Sequence, residues 1–455
     1  MDINSNTFDD AILKDYAEQF TKNTFIPSEC FEKYNIKRGL RNADNTGVMA
    51  GITRICSVEG YYIDDGERIP KDGHLRYRGI DLYDFVDGCK TDDRFGYEEI
   101  VYLLLFGALP TKEQLDTFHD VLTANRELPY DFIEDVIMHA PSPNVMNKMA
   151  SSVMALYAYD ENPDDISVEN VLRQSIRLIA MLPSIMAYSY QVKRRHFYKK
   201  SMYIHTIKPE LSTAETILRA TRSDKLFTDR EAKLLDLCLM LHADHGGGNN
   251  STFTTRCITS SGTDTYSAIA AGIGSLKGFR HGGASIKVAE MTDDIIAHVK
   301  DITDEEEVEA YLRKMVRKQA GDGTGLIYGM GHAVYTLSDP RAVILKRNAE
   351  ALTAEKGLHD EWTLLDIIER VTPRVFLEEK GNQKPLCANV DLYSGLVYKT
   401  LGIPQDLFTP MFACARVAGW CAHRLEEIST SGRIMRPAYK SLQKCSEYTP
   451  LAERK

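Results

Sequence analysis

The chain has 455 residues, 43% apolar and 26% charged, long and apolar enough for a self-sufficient core and too balanced for a disordered, collagen-like or low-complexity protein. Its 55 Lys and Arg against 65 Asp and Glu leave a formal charge of −10, which lacks the basic footprint of a nucleic-acid binder; an anionic ligand must be held by a few Arg and His placed locally. Nine scattered cysteines, odd in number and without a CxxC pair, fit a reduced, cytoplasmic setting.

Taken from the front, the run Met1-Asp2-Ile3-Asn4 has neither the basic nor the apolar stretch of a leader, and no segment approaches the roughly 18 apolar residues of a membrane span. A small β region is predicted next: Ile52–Ile55, Tyr61–Ile63, an Asp65-Gly66 turn, Arg68-Ile69 and Leu75–Tyr77. Beyond it, apolar residues recur at three- and four-residue spacing through 98–106, 112–125, 147–158, 169–190, 213–220, 229–242, 264–277, 284–299, 341–355, 361–370, 393–401 and 408–427. That periodicity predicts a large, mainly α-helical protein. Thr303 with Glu306 reads as a capping box, and Asp339-Pro340 as a cap followed by Pro at the first helical position.

Neither Gly272-x-Gly274 nor Gly321-x-Gly323-x-Gly325 fits GxGxxG, and no P-loop occurs, which disfavours nicotinamide and P-loop enzymes. His242, Asp244 and His245 end an apolar helix. They suit a metal only if a third ligand joins at a sensible spacing; a hydrogen-bonded helix end and an anion site are the other readings. His281 is framed by Gly278, Gly282 and Gly283, which leaves a substrate room to reach it. His332 precedes Arg341, which stands in the first turn of a helix, where free N–H groups and a guanidinium together can clamp a carboxylate or phosphate. Asp391, among Val390 and Leu392, reads either as a helix N-cap or as a partly desolvated general base.

Four stretches in order, LHADHGGGN, LKGFRHGGA, GMGHAVYTLSDPR and NVDLYSGL, resemble the citrate synthase family of the si type, and GHLRYRGIDL, YLLLFGALPT and ARVAGWCAHRLE with Arg436-Pro437 extend the likeness from about Gly39 to Pro437. The resemblance implies an all-α, two-domain fold with a small N-terminal β-hairpin region: a large domain from 1–281 and 397–455, and a small domain from 282–396 that closes over its substrate. It implies an acyltransferase that condenses acetyl-CoA with oxaloacetate and water, giving citrate and free CoA through an enol. Asp391 would abstract a methyl proton, His281 would hydrogen-bond the thioester oxygen, and His332 would polarise the ketone. His245, Arg341 and Arg416 would grip oxaloacetate, with Arg436 reaching the same site from the other subunit of a homodimer. Leu326, Ile327, Tyr328, Gly329, Met330 and Gly331 would line the coenzyme A site. No cofactor, metal, membrane or nucleic-acid partner is implied, because coenzyme A enters as the thioester substrate.

Gly246, Ser285 and Ala388 depart from the commonest family residues (Glu, Asn and Pro) without removing a catalytic group, and Thr336 stands where animal members carry an Arg for coenzyme A phosphates. The basic run Lys193-Arg194-Arg195-His196 with Lys199-Lys200 is one candidate replacement and is otherwise a solvated loop. The competing readings are 2-methylcitrate synthase acting on propionyl-CoA, a metal hydrolase built on His242, Asp244 and His245, and an inactive coenzyme A-binding relative.

Overall fold

The computed structural model describes residues 10–42, 46–381, 384–430 and 432–454; the N-terminal run read for a leader lies outside the described residues. The chain divides into two units, one from residues 1–50 with 436–455 and one from residues 51–435. The terminal unit carries the helices Asp10–Thr24 and Glu29–Lys33, neither of which buries a residue. Within it the Lys440 ammonium lies 5.6 Å from the Tyr34 ring centroid.

In the 51–435 unit, strand Cys56–Asp64 pairs antiparallel with Glu67–Tyr77. Asp65 (φ 45°) and Gly66 (φ 81°) turn the hairpin, the double positive φ that matches a right-handed strand twist. A short strand, Ile80–Asp81, joins the edge, and Asp81 caps the helix Leu82–Thr91 by accepting the Tyr83 N–H. Ile52–Ile55, expected as a strand, is irregular chain leading into the hairpin.

Helices account for nearly all the rest, and the apolar periodicity places most of them within a few residues. Asp229–His242 and Phe408–Ser429 begin where predicted. Every residue from Phe408 to Leu425 is buried, so this helix has no solvent face and is the axis of the unit. Val168–His196, Asn250–Thr259, Thr265–Leu276, Tyr97–Phe106 and Asp229–His242 pack around it. A second group packs together, Glu305–Val316 on His359–Lys380, with Val390–Thr400 against Ala284–His298 and Pro340–Glu355.

Two start signals resolve differently. Asp339 caps Pro340–Glu355 as predicted. At Glu305–Val316 the cap is Asp304, which accepts the Glu306 and Glu307 N–H groups, while the Thr303 hydroxyl donates to Asp301. The acidic side chain one residue on outcompetes the hydroxyl for the free N–H groups at the positive helix end. No helix among the described residues is long and apolar enough to cross a membrane, and all nine cysteines are free thiols.

Candidate active site

Three consecutive residues at the end of Asp229–His242 are tied to successive turns of the axial helix. Arg416 Nε donates to the His242 carbonyl (2.7 Å) and the Gly419 N–H to the Ala243 carbonyl (3.1 Å), while Asp244 approaches His423. Gly419 is needed for this contact: a Cβ there would lie 2.4 Å from Asp244 Oδ1 and 2.6 Å from the Ala243 oxygen. His242 itself points away, donating from Nδ1 to the Cys238 carbonyl (2.7 Å) beside the Phe412 ring; burial pushes it down to about 3, so it is neutral. His245 follows, buried, its Nε2 without a hydrogen-bond partner. His242, Asp244 and His245 thus face different neighbours and do not converge as ligands. Among the described residues no group of three or more His, Cys, Asp or Glu is arranged for a metal.

Two short segments pair to bring the next residues together. The Gly331 N–H donates to the Cys387 carbonyl (2.7 Å) and the Asn389 N–H to the Gly329 carbonyl (2.9 Å), so His332 and Asp391 leave the pairing close together in the fold. Gly329 sits at φ 81°, and a Cβ on it would lie 2.9 Å from the Leu392 Cα, which explains glycine at this point of the loop. His332 Nδ1 accepts the N–H groups of Val334 and Tyr335, both at 3.1 Å. Backbone N–H groups only donate, so the imidazole proton sits on Nε2.

The 332–338 loop rests on the hairpin. Arg68 Nη2 donates to the Val334 carbonyl (3.1 Å), and the Thr336 hydroxyl donates to the Gly60 and Lys71 carbonyls. Thr336, where an Arg stands in animal members, is thereby a buried tether. Tyr335 stacks on His332 (centroids 4.6 Å apart), and both rings flank His245, at 5.6 and 5.2 Å.

The two cations differ. Arg341 donates Nε and Nη2 to Asp339 (3.0 and 2.7 Å) in a buried pair, and its Nη1 makes no hydrogen bond among the described residues. Arg416 is completely buried, lies 4.7 Å from the Phe412 ring centroid, and leaves both Nη1 and Nη2 without a partner. Burial opposes its charge. Burial, reinforced by Arg341, His332 and Arg416, holds His245 far below the usual imidazole range. Buried donors left unpaired cost roughly 1–3 kcal/mol each, more when charged, so this cluster has donors to spare for an anion that supplies the missing acceptors.

His281 Nε2 accepts the Ser251 N–H (3.4 Å), and the Ser251 hydroxyl lies 2.9 Å from the same nitrogen while accepting Trp420 Nε1–H (3.1 Å). That leaves the His281 proton on Nδ1, and burial with Arg416 nearby pushes the ring down to about 4, so it is neutral. Asp391 is not the helix cap. Burial pushes its carboxyl up to about 6 against the pull of Arg341 and Arg416.

The structure therefore assembles His245, His281, His332, Arg341, Asp391 and Arg416. Arg436 belongs to the terminal unit, where it is exposed. In the 326–331 segment Leu326 is half exposed, Ile327 is buried, and the Tyr328 hydroxyl donates to Asp322 (2.6 Å). Of the basic run, Lys193 is committed to Asp406 (2.6 Å). Sequence reasoning missed Tyr335, which lies inside the GMGHAVYTLSDPR motif but is assigned no role by it, and Phe412 and Ser251, which lie outside the motifs; all three act through the partners the fold gives them.

Residues 42–438 match the family described as citrate synthase, C-terminal domain. The citrate synthase of Synechocystis sp. is 33% identical over 418 residues, covering 90% of this chain and 92% of its own. That of Haloferax volcanii is 34% identical over 428 residues, covering 92% and 99%. Among solved structures, the Thermoplasma acidophilum citrate synthase in a ternary complex with carboxymethyl coenzyme A and oxaloacetate superposes with a TM-score of 0.74 at 27% identity, over 92% of this chain and 99% of that one. The Thermotoga maritima citrate synthase gives 0.71 at 28%, with the same coverage. Fold and site together define an α-helical acyltransferase. The chain belongs to the citrate synthase family, and its activity is the condensation that gives the family its name.

Proposed function

We propose that this cluster binds oxaloacetate between His245, Arg341 and Arg416 and condenses it with acetyl-CoA. The observation that carries this is the pair of unpartnered, buried Arg416 Nη atoms in the neighbourhood of His245, whose Nε2 is buried and unpartnered as well. One carboxylate takes both Arg416 donors, a bidentate geometry that a guanidinium suits better than an ammonium. Arg341 Nη1 and His245 take the remaining oxygens. His332 Nε2–H donates to the ketone oxygen, raising the electrophilicity of the carbonyl carbon.

Asp391 then removes a methyl proton from the thioester while neutral His281 donates Nδ1–H to its oxygen. A thioester α-proton is so weakly acidic that a carboxylate base works only if the developing enolate oxygen is stabilised, and the two groups are therefore used together. The enol carbon bonds to the ketone carbon, the His332 proton passes to the ketone oxygen, and water cleaves the citryl thioester to citrate and free coenzyme A. The 326–331 segment would hold coenzyme A, which is substrate, and no further cofactor enters these steps.

The division into a large domain, 1–281 with 397–455, and a closing small domain, 282–396, is part of the proposal, as are a homodimer in which Arg436 reaches the oxaloacetate site of the other subunit and a cytoplasmic location, which the free cysteines support. The test is thiol release from acetyl-CoA with and without oxaloacetate. Release that needs oxaloacetate and yields citrate is expected; thiol release independent of oxaloacetate overturns the reading.

A further inference from the structure

Arg416, Gly419 and His423 lie at i, i+3 and i+7 of the axial helix, one face of it. The first two hold the backbone of His242 and Ala243. His423, completely buried, continues the series to the side chain of Asp244, also completely buried. Its Nδ1 lies 2.8 Å from Arg256 Nη1 and its Nε2 lies 3.2 Å from Asp244 Oδ2. A guanidinium has only donors, so Nδ1 accepts, the proton sits on Nε2, and His423 donates to Asp244. Arg256 is fixed in turn by Glu426 (2.9 Å) and Glu427 (3.1 Å).

Asp244 Oδ2 also accepts the Gly246 N–H at 3.0 Å, which closes a tight turn with His245 at its apex. Gly246 takes φ 78°, a conformation that favours glycine. The orientation of the Asp244 carboxylate therefore sets the turn, and the turn sets where His245 Nε2 points. Burial opposes the Asp244 charge, but His423, Arg416 and the Gly246 N–H outweigh it and hold the carboxyl well below its usual range. The same carboxylate lies close enough to Arg416 to balance its charge before a substrate arrives.

We propose that His423 is a positioning residue for oxaloacetate: with its tautomer fixed by Arg256, it locks Asp244 and so aims His245 into the binding cavity. It touches no substrate and acts only through this relay. The inference rests on the oxaloacetate reading above. It separates from general packing because each link makes its own demand. At 423 a donor is needed where Nε2 stands; at 256 a donor is needed toward Nδ1.

The test is calorimetric binding of oxaloacetate to the full chain, with steady-state kinetics beside it. His423→Leu, which keeps bulk and loses both nitrogens, is expected to weaken oxaloacetate binding and raise its KM roughly 10–100-fold, the scale on which a small misplacement of a binding group is felt, with a much smaller effect on kcat. His423→Gln, whose amide N–H reaches the place of Nε2, is expected to recover binding to within about threefold of the parent. Arg256→Leu, which frees the tautomer, is expected to weaken binding about tenfold. Unchanged binding in folded Arg256→Leu or His423→Leu overturns the proposal, as does a glutamine variant as weak as the leucine one. Should His423→Leu not fold, His423→Gln and Arg256→Leu decide between these outcomes. Failure of the parent protein to bind oxaloacetate at all would overturn the substrate reading instead, so the two failures are distinct.

Discussion

Asn389, and not Asp391, caps the helix Val390–Thr400: its side-chain oxygen accepts the Asp391 N–H at 3.0 Å. The cap satisfies the free N–H at the helix start, so the Asp391 carboxylate is spared that duty and remains available as a base. Asn389 Nδ2 also donates to the Gly331 carbonyl (2.9 Å), so one side chain both starts this helix and ties it to the loop that carries His332.

Asp391→Asn is therefore expected to fold normally and bind oxaloacetate while turnover falls by roughly 10²–10⁴-fold, the scale of a positioned general base. In the parent, burial pushes Asp391 up to about 6. The base works ionised, so the rate should rise with pH through about 6 and level off above it. The stability sign is opposite: a carboxyl whose folded-state value is raised favours the folded state when protonated, and that contribution is lost as pH rises from about 4 through 6. Asp391→Asn should accordingly melt higher than the parent at pH 8. Near-normal turnover in the folded variant would remove Asp391 from the mechanism.

Arg416→Met tests the anion site without relying on catalysis. The parent carries two buried donors with no partner, so oxaloacetate at 100 times its Kd should raise the parent's unfolding free energy by about 2.7 kcal/mol. In the variant that ligand-induced shift in melting temperature should vanish. Its melting temperature without ligand should change little, because losing the Nε bond to His242 and the attraction to Asp244 acts against the gain from removing two buried donors without partners. A shift as large as the parent's would mean the anion binds elsewhere.

Gly419→Ala adds only a methyl group, at a place where it meets Asp244 Oδ1 at 2.4 Å and the Ala243 oxygen at 2.6 Å. Overpacking of this kind costs roughly 1–3 kcal/mol, and here it displaces the Asp244 carboxylate, whose other oxygen holds the His245 turn. Both a lower melting temperature and a raised KM for oxaloacetate are expected. Loss of stability with an unchanged KM would show that the turn can give without moving His245.

The sequence carries the fold where a helix has one apolar face, as at Lys112–Ala124, which buries Phe118 and Leu122, and the motifs carry the six assembled site residues. It is silent where partners are far apart in the chain. Asn250–Thr259 escapes the periodicity because its sequence, NSTFTTRCIT, has no apolar stripe. It buries Ser251, Thr252 and Thr255 instead, with Thr255 bonding back to the Ser251 carbonyl. The tautomers of His281, His332 and His423 depend on Ser251, on two backbone N–H groups and on Arg256, and only His332 finds its setting within three residues. By its neighbours alone Asp391 reads more readily as a cap than as a base, and the cap is Asn389 instead, a neighbour whose capping geometry no spacing rule ranks above that of an Asp two residues on.

On the proposed mechanism Phe412 is the side chain placed to influence acyl-chain choice. Its ring lies 6.3 Å from that of His281, the histidine proposed to meet the thioester oxygen, and against the Arg416 guanidinium. Acetyl-CoA should be preferred over propionyl-CoA in the parent. One methylene in such a pocket is worth about 1–3 kcal/mol, or roughly 10–200-fold, so measurable propionyl-CoA turnover is expected beside the main activity. Phe412→Leu keeps the site apolar but opens space next to His281, and should narrow the ratio of kcat/KM values by several-fold, mainly by raising the propionyl-CoA value. The measurement is that ratio at saturating oxaloacetate for both proteins. A parent ratio favouring propionyl-CoA would assign the chain to methylcitrate formation with His281, His332 and Asp391 in the same roles. A ratio unmoved by Phe412→Leu would place the acyl chain away from this ring.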